Sequence, residues 1–263
     1  MKKATLILAV LISIFSVSCK KENLGIDYSK IRVKQIATNN NGSSMDTIRF
    51  FYTNDNVKTV TNYSANPTFL YTWNYIKNGN KYDVSSIYGT VNTHEGFYNI
   101  NSQGFIDTSR FTNIVTSAFN NRDKYYYNSD GYNTRSITNY NTYENDVTKY
   151  YTVEGDFRYW IYDFKHFTTP ASSYIDSIAF DYYNDENHVA FEYSLQDKFG
   201  KLNKHLVKKR YNYDRTTGIL KRTIEYQYEL DSKGLVTRRI SSYYNQPGNI
   251  LSSTVDSRYT YYE

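Results

Sequence analysis

Short clusters of Asn, Asp, Gly and Ser interrupt this chain at near-regular intervals, and the stretches between them are rich in Tyr, Phe, Val, Ile and Thr. The clusters begin at Asn54, Asn78, Asn101, Asn128, Glu154 and Asn184, separated by 24, 23, 27, 26 and 30 positions. Two more follow, Asp214 to Gly218 and Asp231 to Gly234. Polar turns between β-favouring runs are the sequence form of antiparallel hairpins, and a recurrence of this size fits one hairpin per repeat. Composition agrees. Aromatics make up 18% of the 263 residues and include 31 Tyr, which excludes a disordered chain, while the scarcity of Ala, Leu and Met disfavours an all-helical one. A single Cys excludes a disulfide framework and a Cys-rich zinc site.

Several units share a finer pattern of an aromatic residue, a polar turn, Gly, and an apolar or aromatic residue that restarts the strand. Copies run from Tyr98 to Phe105, Tyr127 to Tyr132, Tyr213 to Ile219 and Tyr228 to Leu235. Gly suits the turn because hairpins need a positive φ that a Cβ makes costly. After Gly218, Leu220, Arg222, Ile224, Tyr226, Tyr228 and Leu230 fall on one side of a strand, with Ile219, Lys221, Thr223, Glu225, Gln227 and Glu229 on the other. One face is apolar and the other wet. The expected fold is all-β: an antiparallel meander of repeated hairpins whose sheet curls into an open or closed barrel or folds into two layers. The nearest approach to a helix is Ser194 to Leu206, where Leu195, Phe199, Leu202 and Leu206 recur at helical offsets around Gly200.

The N-terminus reads as an address. Lys2 and Lys3, the apolar run Ala4 to Phe15 and the small residues before Cys19 form the three regions of an export signal, too short to span a bilayer. With Cys19 at its end, the segment resembles a bacterial lipoprotein signal, although Ser16 stands where the usual lipobox has Leu. The resemblance implies acylation of Cys19, with residues 1–18 removed, residues 19–30 a lipidated tether and residues 31–263 a single β domain. The loose lipobox, the polar leader Lys20-Lys21-Glu22-Asn23 and the Tyr/Gly hairpins together resemble Bacteroidota outer-membrane lipoproteins built from such repeats. That likeness implies an outer-membrane location, on the periplasmic side or the cell surface.

Sequence motifs for catalysis are lacking. His94, His166, His188 and His205 are widely separated and none has metal-ligand spacing, and no nucleophile elbow or phosphate-binding Gly loop occurs. No cofactor and no metal is expected. Asp55, Asp130, Asp185 and Asp231 fall in turn clusters, where they bond backbone N–H groups. Residues 141–197 carry eleven acids against Lys149, Arg158 and Lys165, and residues 198–240 twelve bases against four acids. Pairing of opposite charges between neighbouring strands accounts for this; a patch for an anionic glycan or lipid headgroup is the alternative. Nucleic acid suits an exported lipoprotein poorly. Trp73 and Trp160 are the candidate ligand-binding residues, because indole rings stack on sugars, although same-face pairs such as Tyr211/Tyr213 and Tyr226/Tyr228 are also what a β core requires. The expected role is therefore a non-enzymatic, membrane-anchored envelope protein that binds a glycan or envelope polymer or serves assembly. Two alternatives remain open: a carboxylate-based glycoside hydrolase, which needs two placed acids, and an outer-membrane β-barrel, against which Lys208-Lys209-Arg210 and Arg238-Arg239 would put charge on a lipid-facing side.

Overall fold

The computed structural model describes residues 31–41, 46–54, 56–62, 70–115, 118–186, 195 and 198–262. The export signal, Cys19 and the tether lie outside the described residues. The strands are β1 (Arg32–Asn40), β2 (Asp46–Thr53), β3 (Asn56–Asn62), β4 (Leu70–Asn78), β5 (Lys81–Tyr88), β6 (Val91–Ile100), β7 (Ile106–Asn113) and β8 (Ala118–Tyr127). They continue with β9 (Asn133–Asn139), β10 (Tyr143–Tyr151), β11 (Phe157–His166), β12 (Tyr174–Glu186), β13 (His205–Asp214), β14 (Leu220–Leu230), β15 (Val236–Asn245) and β16 (Ile250–Tyr262). Each pairs antiparallel with its neighbours in the chain, and β1 closes onto β16. Of the architectures the sequence allows, the chain forms the closed barrel, with the strands in meander order.

Hairpin connections alternate between the two rims. One, here the near rim, holds Arg32, Tyr262 and the connections at 54–55, 79–80, 101–105, 128–132, 152–156, 187–204 and 231–235. The recurrence of turn clusters in the sequence is the succession of these near-rim connections, two strands apart. Three of them, Asn101–Phe105, Asn128–Tyr132 and Asp231–Leu235, share one geometry. The first residue's N–H donates to the fifth carbonyl, the Gly N–H donates to the first carbonyl, and the first side chain's Oδ1 accepts the fifth N–H. Thr152–Asp156 repeats the backbone pattern with Thr152 Oγ1 as the acceptor. The fourth sequence copy, around Asp214 and Gly218, is longer by one residue and sits on the far rim.

At the near rim, strands joined by a far-rim hairpin have no turn between them, and tyrosines supply the connection. Tyr127 on β8 donates to the carbonyl of Ile106, the first residue of β7, at 2.6 Å. Tyr151 on β10 does the same to Asn133 at the start of β9, at 2.8 Å. Tyr182 on β12 reaches Phe157 at the start of β11, at 3.0 Å, and Tyr261 on β16 reaches Val236 at the start of β15. A barrel of this many strands is too wide for aliphatic side chains to fill; long rings with a polar tip span more of it and satisfy edge carbonyls as they do so.

Strand register separates the two faces. The inner face carries Val33, Ile36, Phe50, Val236 and Tyr259 in one buried cluster with Leu206, and Val57, Tyr82 and Ile106 in another with Leu195. Tyr226 and Tyr228 stack inward as the sequence suggests. Tyr211 and Tyr213 do not: they stack on the outer face, where Tyr211 donates to Asp181 at 2.7 Å.

Candidate functional site

The barrel encloses a chamber of about 740 Å³. One wall comes from β4 to β6, where alternation turns Trp73 and Tyr75 inward beside Tyr98 and His94. Trp73 stacks on Tyr75 at 6.4 Å and on His94 at 5.6 Å, and Tyr75 stacks on Tyr98 at 6.4 Å. His94 is held at Nδ1 by Ser86 Oγ at 3.2 Å and Tyr71 Oη at 3.3 Å, and burial lowers its pKa below the ordinary value. The opposite wall comes from β10 and β11. Trp160 sits edge-on to Phe157 at 4.7 Å and Phe180 at 4.9 Å, and its cross-strand partner Lys149 holds Nζ 5.5 Å from the indole centre. Lys149 donates to Asn133 Oδ1 at 2.7 Å, and burial pulls its pKa down to about 8.

Leu195 and residues 199–203, which belong to the connection between β12 and β13, form the chamber floor. Leu195, Phe199, Leu202 and Leu206 all line the chamber. Among the described residues their helical offsets correspond to no more than a 3-10 turn, in which the Lys198 N–H donates to the Leu195 carbonyl at 2.8 Å. Gly200 has φ +96 and its Cα lies so close to the Gly131 carbonyl and the Tyr127 ring that a Cβ would overlap them. The Lys201 N–H donates to that same Gly131 carbonyl at 2.9 Å, and Phe199 meets Tyr98 and Tyr125 edge-on at 5.7 and 5.1 Å. The end of the segment is fastened by Asp156, whose two oxygens accept from the His205 N–H at 2.8 Å and pair with His205 Nδ1 at 2.6 Å. With Glu154 these residues bring three metal-capable atoms within 4.8 Å of one another, but the Asp156 carboxylate is already occupied by His205.

The outer face is charged around the barrel. Arg135 pairs with Asp146 at 2.5 Å, Lys165 with Glu144 at 3.4 Å, Lys209 with Glu225 at 2.6 Å and Arg238 with Asp256 at 2.9 Å. On the other side of the barrel, Arg110 of β7 stands opposite Arg122 of β8, both outward. The basic runs split by alternation: Lys209 and Arg238 face out, whereas Arg210 and Arg239 face in. Opposite charges on neighbouring strands therefore do pair, as the sequence suggests, and Phe51, Ile76, Tyr150 and Ile175 lie exposed on the same face.

The fold itself has solved counterparts. The chain is similar in structure to a porin-like protein from Bacteroides uniformis, with a TM-score of 0.62 at 14% identity over 88% of this chain and 96% of that one. A porin-like protein from Bacteroides vulgatus gives a TM-score of 0.50 at 12% identity over 88% of this chain and 99% of that one. What is shared is the barrel. Neither a protein-family model nor a curated protein matches the chain.

Of the residues singled out in the sequence, Trp73 and Trp160 are brought to the same chamber from opposite walls. His166 bonds the loop after β11 at the far rim, through the Thr169 N–H at 3.0 Å, while His188 and Asp55 lie outside the described residues. Asp231 caps its turn. Lys149, Asn133 and Arg239, which also line the chamber, were not singled out. Their signal is alternation: Lys149 shares its strand face with Val147 and Tyr151, and Arg239 shares its face with Ser241 and Tyr243.

Proposed function

We propose that the protein is a non-enzymatic binding protein of the outer membrane, a barrel that stands in water, is tethered through acylated Cys19, and receives a glycan end or another compact envelope molecule in its interior. The observation that supports this reading is the charge on the outer face, where Arg135, Lys165, Lys209 and Arg238 pair with acids while aromatic rings line the chamber. An Arg or Lys facing lipid at mid-depth costs about 2–4 kcal/mol, whereas in water the same residues are ordinary surface and their pairs contribute about 0–1 kcal/mol each. A chamber of this volume, apolar with a few placed polar groups, is what a small-molecule site requires. The floor formed by Leu195 and residues 199–203 favours a compact ligand, or the end of a longer one, over a threaded polymer. No Asp or Glu is among the described residues that line it, so the chamber supports a hydrolase reading less well than a binding one.

A second reading, strands that themselves cross the outer membrane, draws support from the closed barrel and its porin-like structural neighbours. Fractionation separates the two. In the water-standing reading, wild-type protein sediments with membranes and a Cys19→Ala chain moves to the soluble fraction. A Cys19→Ala chain retained by membranes through an alkaline carbonate wash would instead favour crossing strands.

A further inference from the structure

The chamber is lopsided in charge. Lys149, Lys201 and Arg239 line it, with no carboxylate among its described lining residues. Lys149 is the most confined of the three: its partners among the described residues are the neutral amide oxygen of Asn133 and the face of Trp160. Asn133 is itself only 4% exposed. An amide and a ring face compensate a buried ammonium less fully than an anion does, and methionine or leucine would fill the same space without that cost. Lys201, exposed to solvent, holds its ammonium 5.5 Å from the Tyr132 ring. Two further polar atoms of lining residues, Trp160 Nε1 and Asn203 Oδ1, are buried with no hydrogen-bond partner among the described residues. Buried groups left in this state call for an explanation.

Resting on the reading of the interior as a ligand chamber, we propose that the ligand is an acid: a carboxylate, sulfonate or phosphate that sits against Lys149 near the chamber floor, attached to a flat or apolar body covered by Trp160, Phe157 and Leu202. The anion supplies the charge that the lining lacks, and the rings supply a surface for the body. An acidic sugar end and an acyl or aromatic acid share this chemistry.

The test titrates purified full-length protein with anilinonaphthalene sulfonate and with phenylnaphthylamine, the same ring system without its acid. Energy transfer from Trp73 and Trp160, the two tryptophans of the chain, reports binding inside the barrel. The sulfonate is expected to bind about tenfold tighter than the neutral probe, a difference of about 1.4 kcal/mol. Lys149→Met removes that preference and leaves the neutral probe's affinity unchanged, while Lys58→Met on the outer face changes neither. Should Lys149→Met fail to fold, Lys201→Met carries the same expectation. Equal affinity for the two probes, or a preference that survives these substitutions, overturns the assignment while the chamber reading stands; failure of both probes to bind removes the chamber reading itself. Displacement of the bound sulfonate by a glucuronate-terminated disaccharide or by decanoate supports the assignment and identifies the source, and displacement by neither overturns it.

Discussion

Lys149 shows how one side chain's environment sets a property of the whole domain. Burial lowers its pKa from 10.5 to about 8, so between those values the unfolded chain binds a proton that the folded chain does not, and stability rises with pH. Across the full interval the gain is roughly 3 kcal/mol. Tyr98, Tyr125, Tyr127, Tyr151 and Tyr182 act in the opposite sense. Burial raises each of them above 10.0, so above that pH the unfolded chain loses protons the folded chain retains, and stability falls. Thermal melts across this range are expected to rise from pH 8 towards 10 and then drop. In Lys149→Met the rise disappears and the drop remains; a variant whose melting temperature still climbs would contradict the assigned cause. The sequence held this residue in plain view. Counting charge by segment made Lys149 one of three bases in an acidic stretch, whereas its alternation with Val147 and Tyr151 places it inside. Trp73 and Trp160 were legible by type, but their convergence was not, because it depends on which strands the closed sheet sets across from each other.

At the scale of elements, the hairpin was the most readable unit. The Asn/Asp-to-Gly turns state their own geometry, since a capping oxygen and a positive φ are both written in the residue types. Two glycines separate the contributions. Gly104 has φ +85 and open space where a Cβ would go, whereas at Gly155, φ +99, a Cβ would overlap the Tyr132 hydroxyl. Gly104→Ala is expected to cost about 1 kcal/mol of unfolding free energy, and Gly155→Ala clearly more, measured by chemical denaturation; equal losses would show that the Tyr132 contact carries no weight. The tyrosine bridges at the near rim make a parallel prediction. Tyr151→Phe keeps the ring and removes the bond to Asn133, for a loss of about 1 kcal/mol in the same assay, and an unchanged midpoint would deny the bridge a structural role. The β12–β13 connection was the least readable element. Leu195, Phe199, Leu202 and Leu206 carry a helical rhythm, yet they bury their side chains into a space that the rest of the barrel defines, and local periodicity holds no record of that space.

The barrel as a whole crowds its interior with aromatic side chains and carries charged pairs on part of its outer wall. The interior accounts for much of the tyrosine-rich composition, because wide closed walls need large side chains pointing inward, while the outer face mixes ion pairs with exposed Phe51, Ile76 and Tyr150. Alternation in a single strand, such as that after Gly218, already announced one wet and one apolar face. It could not say whether the apolar face would be the inside of a barrel or a layer against a second sheet, because closure is decided by the pairing of β1 with β16 at opposite ends of the chain. The central claim is that the outer face meets water along its whole height, and cysteine accessibility tests it most directly. Thr148 and Ile240 point outward in the middle of β10 and β15. In the membrane-associated full-length protein, with both leaflets facing buffer, Thr148→Cys and Ile240→Cys are expected to react with a membrane-impermeant maleimide as fully as they do in detergent-dispersed protein. Protection of both positions until detergent is added would contradict the account and place these strands in the bilayer.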